Sequence, residues 1–236
     1  MPVPPAVPPH CWKEESAMNK LRMRFSKTGR AIYISHLDLM HTMQRAFSRA
    51  GLRIKYSEGF NPHPLISIAL PLSVGTASRC ELMDFRLDGT CELAYFLENL
   101  NVALPEGIEV LEVYEPARKA AELKWLELEG RFEYDQAKPS SMVPLLEAFY
   151  NTDSILISKK TKRGFSAFDL VSAISSVSFT AADDSVLVHT VVSAQEPTFN
   201  PDLFCEALHQ LDPTLSPDFA SFTRVETYDA SMNLFR

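Results

Sequence analysis

The sequence predicts an α+β chain made of two tandem ferredoxin-like (split βαβ) halves with antiparallel sheets. Three observations carry that expectation. "KLRMRF" alternates apolar Leu21, Met23 and Phe25 with basic Arg22 and Arg24, the period of a strand with two unlike faces. "SHLDLMHTMQRAFSRAG" then changes to helical period, with Leu39, Met40, Met43, Ala46, Phe47 and Ala50 on one side. The segment order strand, helix, strand, strand, helix, strand is the split βαβ plan, and it recurs more loosely in the second half.

After the first strand, "SKTG" reads as a turn and "AIYI" as continued extended chain. Ser35 suits the N-cap of the first helix, Asp38 stands three residues on as its capping-box acid, and Gly51 ends it. "LRIKYS" reads as the second strand, "LISIALPL" as a further apolar run and "ELMDFRL" as another strand. "CELAYFLENLNVAL" is a second helix and "PEGIEVLEVYE" a returning strand. In the second half "LKWLELEGRFEY" is strand-like, "SSMVPLLEAFYN" helical and "SILISKK" a strand. "FSAFDLVSAISS" reads as an inserted or irregular helical piece, followed by the strand "SVLVHTVVS", the helix "PDLFCEALHQL" and the strand "FASFTRVETYD". No residue-level repeat is visible, so the duplication rests on element order. The expected domains are a Pro-rich disordered tail over 1–17, a first half over 18–116 and a second, looser half over 117–236, joined around Pro116 to Glu122.

Length and composition narrow the function classes. A chain of 236 residues, 46% hydrophobic, can bury one large core or two small ones. No apolar run approaches the roughly 18 residues that span a bilayer. "MPVPPAVPPHCWKEESA" has neither the basic start nor the apolar core of a signal peptide, so a cytoplasmic location with no membrane partner is expected. Cys11, Cys80, Cys91 and Cys205 are scattered, with no C-x-x-C pair and no C-x3-C-x2-C run. That pattern predicts reduced thiols, no disulfide framework and no iron–sulfur cluster held by this chain.

The net charge of −7 opposes nucleic-acid binding, but its distribution does not. Between Met18 and Pro64 nine bases stand against two acids, Asp38 and Glu58. A second basic knot, "KKTKR", runs Lys159 to Arg163, and acids dominate elsewhere. One positive face on an acidic body could meet phosphate, and the same pattern fits a solvated strand surface. Arg22, Arg24, Lys27, Arg45, Arg49 and Lys55 are the candidate RNA-binding bases, with Arg45 and Arg49 one helical turn apart.

The segment "YSEGFNPHPLISIALPL" carries the most unusual side chains for a connection. Gly59 permits a sharp turn, while Pro62 and Pro64 stiffen the chain around Asn61 and His63. Tyr56, Ser57, Glu58, Phe60, Asn61 and His63 therefore form a candidate recognition loop, in which an aromatic could stack on a base and the amide could read an edge. A Pro-fixed crossover whose Phe60 plugs the core is the alternative. His36, at the entry of the first helix, is the one candidate acid or base, and its helical phase also fits a packing role. His36 and His41 lie about 140° apart around a helix, and no H-x3-H or H-E-x-x-H spacing exists, so no metal site is expected.

"RFSKTGR", "YISHLDLM", "YSEGFNPHP" and "LPLSVG", within residues 20–75, resemble a bacterial radical-SAM-associated (radical-SAM-linked) family of unknown function. In that family the domain stands beside a radical S-adenosylmethionine protein or is fused to its C-terminus. The resemblance implies a stand-alone accessory or substrate-presenting subunit whose partner holds S-adenosylmethionine and the iron–sulfur cluster. It also implies proximity to ribosome-related and RNA-processing functions, with tRNA or rRNA as the bound RNA. The leading expectation is an RNA-facing accessory protein with no catalysis of its own. The rivals are a metal-independent ribonuclease-like RNA-processing enzyme using His36, and a protein adaptor that docks the radical SAM partner without touching RNA.

Overall fold

The computed structural model describes residues 20–89, 91–161 and 164–236. The tail expected over 1–17 lies outside the described residues. Among the described residues, four α-helices and mainly antiparallel strands make an α+β fold. It divides into two compact units, one ending at Ala120 and taking in Arg236, the other spanning Ala121–Phe235. Among the described residues, no helix is long and apolar enough to cross a membrane.

The first unit runs β1 (Lys20–Lys27), α1 (His36–Arg49), β2 (Ile66–Ile68), β3 (Ala77–Arg86), α2 (Leu93–Ala103) and β4 (Ile108–Tyr114). Its strands lie in the order β4–β1–β3, with β2 on the other side of β3 and every pair antiparallel. The alternating Leu21, Met23 and Phe25 of β1 meet Leu39, Met43 and Phe47 of α1 and Phe96 and Leu100 of α2 in one buried cluster. At its centre Phe85 stacks on Phe96 with ring centroids 5.0 Å apart, and Phe47 packs against both.

Local chemistry sets the ends of α1. Ser35 Oγ accepts the Asp38 amide and donates to Asp38 Oδ2 at 2.7 Å, which closes the first turn. At the other end Gly51 takes φ +68°, a conformation that suits glycine. The Gly51 amide donates to the Ser48 carbonyl and the Leu52 amide to the Phe47 carbonyl, a Schellman stop that tucks Leu52 beneath the helix.

Two expectations for this unit are corrected. "AIYI" is not extended, because Gly29–Tyr33 forms a 3₁₀ turn once Gly29 adopts φ +53°. "LRIKYS" is not a sheet strand. It contributes only single bridges, Ile54 to Leu87 and Tyr56 to Pro64, because the chain folds back on itself before β2.

The second unit runs β5 (Trp125–Glu133), α3 (Pro139–Tyr150), β6 (Leu156–Thr161), β7 (Gly164–Asp169), β8 (Ile174–Ala181), β9 (Ser185–Ser193), α4 (Asp202–Leu211) and β10 (Phe219–Tyr228). Its main sheet has the order β10–β5–β9–β8, all antiparallel, while β6 and β7 pair only with each other. Leu128, Phe132, Val188, Leu146, Phe204 and Leu208 form its core. Gly130 is required there, since a Cβ would meet the Phe222 ring at 2.7 Å.

"FSAFDLVSAISS" is corrected from helical to β7, a 3₁₀ turn at Val171–Ala173 and the start of β8. Asp169 causes the break. Its Oδ1 accepts the amides of Ile155 and Val171 and so turns the chain out of the hairpin.

Candidate nucleic-acid interface

The loop that carries Phe60 is a small, rigid hairpin. The Leu65 amide donates to the Lys55 carbonyl and the Ser57 amide to the His63 carbonyl, each at 2.8 Å. Ser57 Oγ lies 2.8 Å from His63 Nδ1 and accepts the His63 amide at 3.0 Å. At its base the Lys55 amide donates to the Arg86 carbonyl and the Arg86 amide to the Leu65 carbonyl, fastening the hairpin to β3. Gly59, at φ +121°, allows the reversal. The tip therefore has little freedom left to lose on binding.

Several side chains project from that backbone into solvent. Phe60 is 113% exposed, more than a reference extended residue, so it plugs no core. Glu58, Asn61 and His63 are exposed and Tyr56 is half-exposed. Ser57 serves to hold His63 in place.

The basic face expected on β1 is corrected. Arg22 is fully buried, with Nε donating to Asp84 Oδ1 at 2.6 Å and Nη2 to Oδ2 at 3.2 Å. Lys20 joins the same carboxylate at 2.8 Å. Burial pushes the Asp84 carboxyl up, but the hydrogen bonds and charges of Arg22 and Lys20 outweigh it and hold it below its ordinary value. Arg24 donates to the Arg79 carbonyl and to Glu112 Oε1. Register explains both pairings, since Arg22 stands opposite Asp84 on β3 and Arg24 opposite Glu112 on β4.

Lys27 is also buried, and its Nζ donates to the Ile32 and Ile34 carbonyls at 3.1 and 3.2 Å. Burial lowers its pKa against the opposing pull of Glu81. Arg22 and Lys27 are thus structural and leave the candidate interface.

The helix and hairpin bases behave otherwise. Arg49 is exposed but donates Nη2 to the Ala103 carbonyl at the end of α2. Arg45 and Lys55 are exposed, and neither side chain makes an ion pair or hydrogen bond among the described residues. In the second unit Lys159 sits 4.7 Å from the Phe168 ring centroid and donates to the Thr198 carbonyl. Lys162 and Arg163 of that basic knot lie outside the described residues.

His36 opens α1 half-buried, and its Nδ1 is buried without a hydrogen-bond partner. Among the described residues no carboxylate or second His is hydrogen-bonded to it. Among the described residues no group of three His, Cys, Asp or Glu side chains could hold a metal ion.

Two clefts flank the hairpin and share Pro64 and Ile66. One, of about 310 Å³, opens between α1 and the hairpin, over Phe47 and Leu52, with Gln44, Ser48, Arg53 and Asp88 among its lining. The other, of about 450 Å³, includes Lys20, His63, Asp84 and Arg86. Sequence reasoning missed Gln44, Ser48, Arg53 and Asp88. The available signal was phase: Gln44 and Ser48 are one turn apart, beside the apolar stripe of α1.

The model of a family described as "Uncharacterized protein conserved in bacteria (DUF2344)" matches residues 20–201, and the chain belongs to that family. No curated protein matches it in sequence. Among solved structures, a chain of a Cbf5-Nop10-Gar1 complex is similar at 9% identity and a TM-score of 0.48, covering 89% of this chain. The chain spans about half of that one, 49% of its length. An unknown protein from Galdieria sulphuraria is similar at 11% identity and a TM-score of 0.25, with 87% of this chain and 96% of the other covered.

Proposed function

We propose that this member of the bacterial DUF2344 family is a cytoplasmic accessory protein that binds single-stranded RNA through the hairpin of residues 55–65 and works beside a radical SAM enzyme. One observation carries the reading: Phe60 stands wholly exposed at the tip of a backbone pinned by its own ladder and by β3. A large aromatic held out from a hydrogen-bonded tip is the kind of platform on which an unstacked base adds about 1–3 kcal/mol. Arg45 and Lys55 supply positive charge that no acid among the described residues pairs with. A single strand suits this surface better than a duplex, whose bases are already stacked.

The radical SAM partner rests on the motif resemblance of residues 20–75. In this reading S-adenosylmethionine and the iron–sulfur cluster belong to the partner, and the chain presents tRNA or rRNA without catalysing a step. The fold reading is two ferredoxin-like halves, 18–116 and 117–236. It is supported by the strand orders β4–β1–β3–β2 and β10–β5–β9–β8, each of which is fourth, first, third, second along its own unit, with the β6–β7 hairpin as an insertion.

The test is fluorescence anisotropy with single-stranded RNA oligonucleotides and Phe60→Ala. A clear loss of affinity with unchanged thermal stability is expected. Equal binding by the variant, or none by the wild type, would sink the reading. Capture of a radical SAM protein that persists after nuclease treatment, with no RNA bound, would favour the adaptor instead.

A further inference from the structure

We propose that the cleft between α1 and the hairpin is a pocket for one unpaired nucleobase of the bound strand. The inference rests on the RNA-binding reading and assigns the cleft a role that the hairpin tip does not fill. Its volume of about 310 Å³ lies at the small end of the roughly 300–1,000 Å³ typical of ligand sites, room for one ring system with its sugar outside.

The floor and walls are apolar. Phe47 and Leu52 are buried beneath it, placed by the Schellman turn that ends α1, and Ile54 and Ile66 form the sides. Tyr56, half-exposed, brings an aromatic ring to the rim.

The polar groups are those a base edge uses. Gln44 offers an amide donor and acceptor, and it makes no side-chain hydrogen bond among the described residues. Asp88 offers a carboxylate, likewise without a hydrogen bond or ion pair there, and its amide donates to the Arg53 carbonyl, which fixes both backbones at the rim. The Ser48 hydroxyl already donates to the Gln44 carbonyl, so its oxygen remains an acceptor. An alkyl ligand would leave this mixed rim unpaired, and a bare anion, although Arg53 also lines the cleft, would gain nothing from the apolar floor and would meet Asp88. A planar heteroaromatic ring with donors and acceptors on its edge uses both.

The test uses the full chain and four free nucleosides, guanosine, adenosine, cytidine and uridine, followed by amide chemical shifts, together with RNA oligonucleotides followed by anisotropy. One nucleoside should shift the amides around Gln44, Tyr56 and Asp88 in preference to the other three. Asp88→Asn, which keeps the volume and removes the charge, should weaken that binding about tenfold. Ser48→Phe should fill the cleft and abolish it. Should Ser48→Phe fail to fold, the exposed Asp88→Asn still decides.

Oligonucleotide binding that needs Phe60 but is unchanged in Asp88→Asn, with no nucleoside response in the cleft, overturns the pocket and leaves the RNA reading standing. Nucleoside binding in the cleft with no oligonucleotide bound supports the pocket and removes the RNA reading.

Discussion

Strand β1 and the α1–hairpin region carry the same kinds of basic side chain in one stretch of sequence, yet their bases have opposite fates. On β1, Arg22 and Lys27 are buried and Lys20 and Arg24 are paired to carboxylates. On α1 and the hairpin, Arg45 and Lys55 face solvent with no acid paired to them among the described residues. Cross-strand register accounts for the difference. A strand inside a sheet has neighbours on both sides, and Asp84 and Glu112 are delivered opposite Arg22 and Arg24. On α1, Arg49 reaches only the Ala103 carbonyl, and Arg45 has no carboxylate opposite it among the described residues. Charge counted along a chain therefore overstates the charge a partner can meet.

The largest effect that would break this comparison belongs to the buried pair. Asp84→Ala leaves the Arg22 guanidinium buried without its carboxylate and should destabilise the protein by about 3–5 kcal/mol in urea unfolding. A loss below about 1 kcal/mol would mean that the pair is effectively solvated. Acid should expose the same contact. The folded Asp84 carboxyl titrates below its ordinary value of 3.8, so its contribution is complete above that value and is lost as pH falls through the folded pKa. Asp84→Ala should flatten that part of the stability profile.

Lys27→Met comes next. It strips the donor from the Ile32 and Ile34 carbonyls, and about 1–3 kcal/mol of stability should go with it. At the hairpin the balance reverses. Phe60→Ala should leave stability within about 0.5 kcal/mol, while affinity for single-stranded RNA falls by about 1–3 kcal/mol. The smallest effect should come from Arg45→Ala, which in salt titrations of RNA binding should lower the log–log slope by about 0.7 if it meets one phosphate. An unchanged slope would place the strand elsewhere.

The two hairpins teach a related lesson about what a sequence displays. Gly59, Pro62 and Pro64 announced a stiff turn, and the structure has one, with Phe60 at its tip. The β6–β7 hairpin was half hidden, because "FSAFD" alternates too weakly to separate a short strand from a helical turn. Asp169 makes the break by accepting the amides of Ile155, which lies 14 residues before it, and Val171, a pairing no local pattern records.

The sequence by itself determined the α+β class, the span and caps of α1, the apolar face of β1 and the stiffness of the loop around Phe60. These follow from local periodicity and local turn chemistry, which act within a few residues. Only the tertiary structure decided which bases are exposed without an acid among the described residues, where the second strand of the first unit lies, and that Gln44 of α1 and Asp88 line the same cleft. Those depend on which distant segments become neighbours. Register pairs residues such as Arg22 and Asp84 that lie far apart in the chain, and no local pattern records that choice.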